Sequence, residues 1–91
     1  MPNLKIPTPL RPYAEGQSDI SVQGQTVLEA LRDLTHQYPS LEKHLFSKDG
    51  KLRPYVNLFL GDEDVRYLQG EETSLKEDDK LRIIPSIAGG K

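Results

Sequence analysis

One segment of this chain carries a sustained helical period, and it constrains what the rest can fold into. Thr26-Val-Leu-Glu29 has the spacing of a capping box: the Thr hydroxyl can accept from the Glu29 amide, and the Glu29 carboxylate can reach back. Val27, Leu31, Leu34 and Tyr38 then recur at steps of three and four, with Leu28 broadening the stripe. Pro39 disfavours helical geometry at the residue before it, so the helix should run over about Val27 to Tyr38. Beyond it, Ser40 is expected to cap a shorter helical piece holding Leu41, Leu45 and Phe46. An apolar stripe must be buried against another layer, and the rest of the chain offers strands.

Leu4 and Ile6 stand two apart, with Leu10 two steps after Thr8. Pro7 and Pro9 cannot donate to a ladder, so the spacing predicts an edge strand there. Arg11 to Ser18 contains Pro12 and Gly16 and reads as a loop. Asp19 to Gln23 alternates, with Ile20 and Val22 facing in. A turn at Lys48-Asp-Gly-Lys51 precedes the strongest strand, Arg53 to Leu60, whose two faces are Val56/Leu58/Leu60 and Tyr55/Asn57/Phe59. Gly61 to Asp64 reads as a turn and Val65 to Tyr67 as a short return strand. Gly70 to Asp79 is polar apart from Leu75, which should plug the core from a single helical turn. Leu81 and Ile83 line a last strand that Pro85 stops.

Two strands, one long helix and a further set of strands in so short a chain imply an α+β fold. The expected form is a β-grasp: a mixed sheet of four to five strands wrapped on one main helix. Residues 1–85 form the domain and 86–91 a flexible tail. Val22, Leu28, Leu31, Leu34, Val56, Leu58, Leu81 and Ile83 are the expected core.

Composition narrows the function. Twelve basic against fourteen acidic residues, with no basic stripe interleaved with aromatics, argue against nucleic-acid binding. The longest mostly apolar run, Tyr55 to Leu60, is far too short to span a bilayer. Met1 to Leu10 lacks the apolar core of a signal peptide, so a cytoplasmic setting is expected. The chain has no cysteine, which excludes disulfides, Cys-based metal sites and a thiolate nucleophile. His36 and His44 are eight apart with Pro39 between, a poor metal pair, and read as surface residues. Asp62, Glu63 and Asp64 read as a solvated hairpin turn. No nucleophile–base spacing or phosphate loop is evident, so the chain is not expected to be an enzyme or to bind a cofactor.

The end is different in kind. Ala88-Gly89-Gly90-Lys91 follows the last strand directly. Glycine has no Cβ, so its backbone can enter a narrow tunnel and its carbonyl is unhindered. Many such ends are merely frayed; here the diglycine puts the candidate chemistry on a main-chain carboxyl group. Tyr55, Phe59 and Tyr67 on the outer sheet face form a candidate partner surface.

Four stretches together resemble the ubiquitin-like sulfur carriers of the MoaD/ThiS family: Ile6-Pro-Thr-Pro-Leu-Arg-Pro12, Thr26-Val-Leu-Glu-Ala-Leu-Arg-Asp-Leu34, Tyr55-Val-Asn-Leu-Phe-Leu-Gly-Asp-Glu-Asp-Val-Arg66 and Asp79-Lys-Leu-Arg-Ile-Ile-Pro-Ser-Ile-Ala-Gly-Gly90. The likeness is greatest to the branch that serves cysteine biosynthesis. It implies that Gly90 is adenylated by an activating enzyme using ATP. Sulfide or a persulfide would then convert it to a thiocarboxylate, which a sulfur-accepting enzyme such as a cysteine synthase would use. Carriers of the family end at the second glycine, whereas here Lys91 follows and turns the Gly90 carboxyl into an amide. Lys91 is then a pro-extension removed by a JAMM-type zinc protease, or a residue added by cloning, or a sign that the chain is no carrier. Two other roles share the same end: the small subunit of molybdopterin synthase, and a ubiquitin-like modifier joined through Gly90 to lysines.

Overall fold

The computed structural model describes residues 1–53 and 56–85. Five strands form one mixed sheet: β1 (Asn3–Lys5), β2 (Asp19–Ser21), β3 (Val56–Leu60), β4 (Glu63–Asp64) and β5 (Lys80–Pro85), in the order β2-β1-β5-β3-β4. β1 runs parallel to β5, with Leu4 opposite Leu81; the β1–β2, β3–β5 and β3–β4 pairs are antiparallel. α1 (Val27–Gln37) covers one face, and a short α2 (Glu42–Leu45) follows it. This is the expected β-grasp.

Helix α1 forms as its cap dictates. The Glu29 amide donates to Thr26 Oγ1 at 3.2 Å. The Glu29 carboxylate accepts from the Gln25 amide at 2.8 Å, one residue earlier than in the standard box. Val27, Ala30, Leu31 and Leu34 are buried, whereas Leu28, expected in the core, is only half-buried. Successive residues are about 100° apart around a helix, so Leu28 turns off the stripe and Ala30 falls on it. The other expected core residues, from Val22 through Ile83, are all buried, and Leu4, Ile6, Ile20, Leu41 and Leu45 join them.

Four local expectations fail for identifiable reasons. β1 is an interior strand, not an edge, because it ends at Lys5, before the prolines. Pro7 and Pro9 instead open a 3-10 turn over Thr8–Ala14, where a missing N–H costs little. That turn occupies the first half of the expected loop, Arg11 to Ala14. Ser40 caps nothing: α2 is entered through a 3-10 turn at Pro39–Leu41, with no side-chain cap. Leu75 does plug the core, but from extended chain, its amide donating to the Gln25 carbonyl at 2.9 Å.

The fourth failure is the return strand. β4 is Glu63–Asp64, and Val65–Tyr67 is a 3-10 turn. Asp64 is the reason. It is buried, not solvated, and its carboxylate accepts the Arg66 amide at 2.9 Å and the Arg66 guanidinium at 2.9 Å. These bonds curl the chain before it can pair further along β3. The Arg66 guanidinium, then the Arg66 amide, hold the Asp64 carboxyl below its ordinary pKa.

Gly24 sits where the chain turns from β2 into α1. Its φ is +150°, and a Cβ would lie 2.7 Å from the Ala30 nitrogen and 2.9 Å from the Glu29 carbonyl carbon. Those are main-chain atoms of the helix and cannot swing aside.

Three outcomes test this account. Gly24→Ala should destabilise by at least about 1–3 kcal/mol, the usual cost of a strained backbone conformation. Leu31→Ala, at a fully buried position, should cost about 2–5 kcal/mol; both are read from urea unfolding midpoints. Because its folded pKa is depressed, Asp64 contributes stability above the unfolded carboxylate pKa of about 4 and loses it as pH falls through the lower folded value. The gap between wild type and Asp64→Asn should therefore be widest near neutrality and close on acidification. A gap constant down to about pH 2 would show that the ionised carboxylate is not the stabilising group.

Candidate functional site

The route to the tail is β5. It is held on one side by β1, paired at Lys80, Leu81 and Arg82, and on the other by β3, paired from Leu81 to Pro85. Leu81 and Arg82 of β5 are thus held on both sides, and its last three residues, Ile83–Pro85, by β3 alone. Pro85, the last described residue, stands opposite Val56. Ala88, Gly89, Gly90 and Lys91 lie outside the described residues, as does Tyr55.

The two described members of the expected aromatic surface are placed differently from one another. Phe59 is half-buried on β3, and the Arg82 guanidinium stands 5.8 Å from its ring centroid. Tyr67 is 87% exposed, yet it belongs to the 3-10 turn and not to a strand. The Asp64–Arg66 bonds hold the turn that presents it.

Reading for aromatics missed the charged half of the outer face. Leu81 and Ile83 point inward, which leaves Lys80, Arg82 and Ile84 outward on the same strand. Lys5 does the same between Leu4 and Ile6. The period-two pattern contained these positions. Their convergence needed the β1–β5 pairing, which no local pattern contains.

His36 is exposed, but His44 is not the plain surface residue expected. Its ring packs against Tyr13 with centroids 4.1 Å apart and the planes tilted by 33°, and its Nε2 is buried without a hydrogen-bond partner among the described residues. The two rings join the Thr8–Ala14 turn to α2. Among the described residues no group of three or more His, Cys, Asp or Glu side chains could hold a metal ion. Nor, among them, is any helix long and apolar enough to cross a membrane.

Comparison with known proteins fits this architecture. The ThiS family profile matches residues 4–90. Sulfur carrier protein CysO of Mycobacterium tuberculosis is 38% identical over 89 residues, 96% of each chain. Small archaeal modifier protein 3 of Haloferax volcanii is 35% identical over 65 residues, 71% of this chain and 70% of that protein. A chain of the crystal structure of the Amycolatopsis orientalis BexX/CysO complex superposes with a TM-score of 0.88 at 34% identity, covering 99% of this chain and 100% of that one. A profile whose match runs from β1 through the helix to the diglycine leaves a single assignment: the chain belongs to the ThiS family.

Proposed function

We propose that this protein is a sulfur carrier that works through the carboxyl group of Gly90. The observation that carries the reading is the extent of the family match, which covers the folded body and Ala88-Gly89-Gly90 together. The 38% identity to a protein named as a sulfur carrier supports it.

The chemistry follows from what a carboxylate lacks. It is a poor acyl donor at neutral pH because it has no leaving group. In an activating enzyme, a Gly90 carboxylate oxygen attacks the α-phosphorus of ATP, pyrophosphate departs, and an acyl-adenylate forms. Hydrosulfide then attacks the acyl carbon, AMP leaves, and Gly90 ends in a thiocarboxylate. The chain has no thiol of its own, so the sulfur is borne at the acyl end alone. In this reading the chain is a protein cosubstrate and not an enzyme, and ATP belongs to its partner. The recipient is a sulfur-accepting enzyme such as a cysteine synthase, in keeping with the likeness to CysO. A CysO chain has been solved in complex with BexX, which supports action through a protein partner. Phe59 and Tyr67, with Tyr55, are the residues proposed to meet such partners.

Lys91 sets the order of events. Bonded to Lys91, Gly90 carries an amide and no free carboxylate. Hydrolysis of the Gly90–Lys91 bond, the work of a JAMM-type zinc protease, must come first. A second reading has support in the small archaeal modifier protein 3 likeness. There a lysine amine of another protein, not hydrosulfide, attacks the activated Gly90 and an isopeptide bond forms.

The chain ending at Gly90 should be adenylated by the activating enzyme of a CysO-type carrier and, with sulfide present, gain one sulfur in place of one oxygen by intact mass. The chain that retains Lys91 should remain unmodified under the same conditions. Equal adenylation of the two chains would rule out processing. Isopeptide-linked products without sulfur gain would favour the modifier reading.

A further inference from the structure

We infer that the outer face of the sheet carries a seat for carboxylates built from Lys5, Lys80 and Arg82, and that its occupant is an acidic segment of the enzyme that activates Gly90. The identity of that enzyme rests on the carrier reading above; the chemistry of the seat does not.

The pairing register brings the cations together. Asp19, Lys5, Arg82 and Phe59 lie opposite one another in a row across β2, β1, β5 and β3, and Lys80 lies opposite Asn3 one step away on the same face. Lys5, Lys80 and Arg82 are all exposed. They line an open depression of about 300 Å³ whose remaining walls are Asn3, Asp19, Gly61 and Asp62, so three cations meet two carboxylates and no apolar side chain.

Two features mark this as more than a solvated surface. Lys5 and Arg82 are direct partners across the β1–β5 ladder. Like charges so placed oppose pairing; Asp19, opposite Lys5 on the other side, offsets part of this, and no carboxylate of the described residues stands between Lys5 and Arg82 in an ion pair. Among the described residues the ion pairs are Met1 with Glu77 and Arg66 with Asp64, so none engages Lys5, Lys80 or Arg82. An external carboxylate between them would convert the repulsion into attraction.

Arg82 is also pre-positioned. Its guanidinium lies over the Phe59 ring, and one of its terminal nitrogens donates to the Gly61 carbonyl at 3.2 Å. Side-chain freedom that is lost in the free protein does not have to be lost on binding. A planar fork held in place suits a carboxylate better than a mobile ammonium does. Beyond it, Ile84 is 39% exposed on the same strand toward the tail, supplying apolar contact beside the charges.

The seat also has a defined reach. Gly90 lies eight residues beyond Arg82, so the partner's acidic segment must stand within about 29 Å of its reacting ATP, the limit of eight extended residues.

Two measurements test the seat. The full chain is titrated with capped hexaglutamate and followed by amide chemical shifts. The expected shifts fall on Lys5, Lys80, Arg82 and Gly61, and vanish in Lys5→Glu/Lys80→Glu, whose unperturbed amides confirm the fold. Shifts centred instead on Lys43, Lys48 and Arg53, or none with wild type, would overturn the inference. Separately, the chain ending at Gly90 is assayed with the activating enzyme of a CysO-type carrier. The double variant should lose about tenfold or more in kcat/KM with kcat unchanged, and the loss should shrink at high salt. An unaltered kcat/KM would overturn the inference while leaving the carrier reading intact. If wild type itself is not adenylated, the carrier reading fails, and the hexaglutamate titration still decides the seat.

Discussion

The parallel pairing of β1 with β5 is the contact on which the rest of this structure depends. It places the first and last strands of the domain side by side in the middle of the sheet. Parallel neighbours cannot be joined by a tight turn; the chain between them must cross a face of the sheet. Here that crossing is α1, and its buried stripe of Val27, Ala30, Leu31 and Leu34 is what the inner face of β1 and β5 requires. The hairpin β1–β2 and the pair β3–β4 then extend the sheet outward from this centre. Backbone bonds from Val27 to Thr73 and from Leu75 to Gln25 tie the polar 70–79 segment to the start of the helix. That segment therefore closes the core although Leu75 is its only apolar residue; Thr73, two residues before it, is buried as well.

The same pairing gives the sheet two unlike faces. Inward, Leu4 meets Leu81, and Leu58 meets Ile83. Outward, Lys5 meets Arg82, and Arg82 meets Phe59. Alternation along β5 makes these two consequences inseparable: the residues that hold the strand in the core alternate with those that face outward. Anchorage in the core and a charged outer face thus arise from one strand. For a protein proposed to react only through its main-chain end, this is an economical arrangement. In that proposal the body serves to be recognised by the enzymes that act on Gly90.

The amino-acid sequence by itself determined the local elements whose signals are short-range. The Thr26/Glu29 cap, the Leu31/Leu34 stripe and the stop at Pro39 reported α1, since a helix is built from contacts three and four residues apart. Alternation reported β2, β3 and β5 and the core positions Val22, Val56, Leu58, Leu81 and Ile83 on or next to them, and the diglycine pointed to Gly90. Tertiary structure decided what depends on partners distant in the chain. Whether β1 is edge or interior is a property of its neighbours, not of Pro7 and Pro9. Burial of Asp64 against Arg66 replaced the expected strand at Val65–Tyr67 with a turn, and packing against Tyr13 took His44 off the open surface. The convergence of Lys5, Lys80 and Arg82 is likewise a matter of register, because residues some 75 positions apart meet only once β1 and β5 are aligned. Local periodicity can say which face of a strand a side chain takes; only the pairing of strands says what stands next to it.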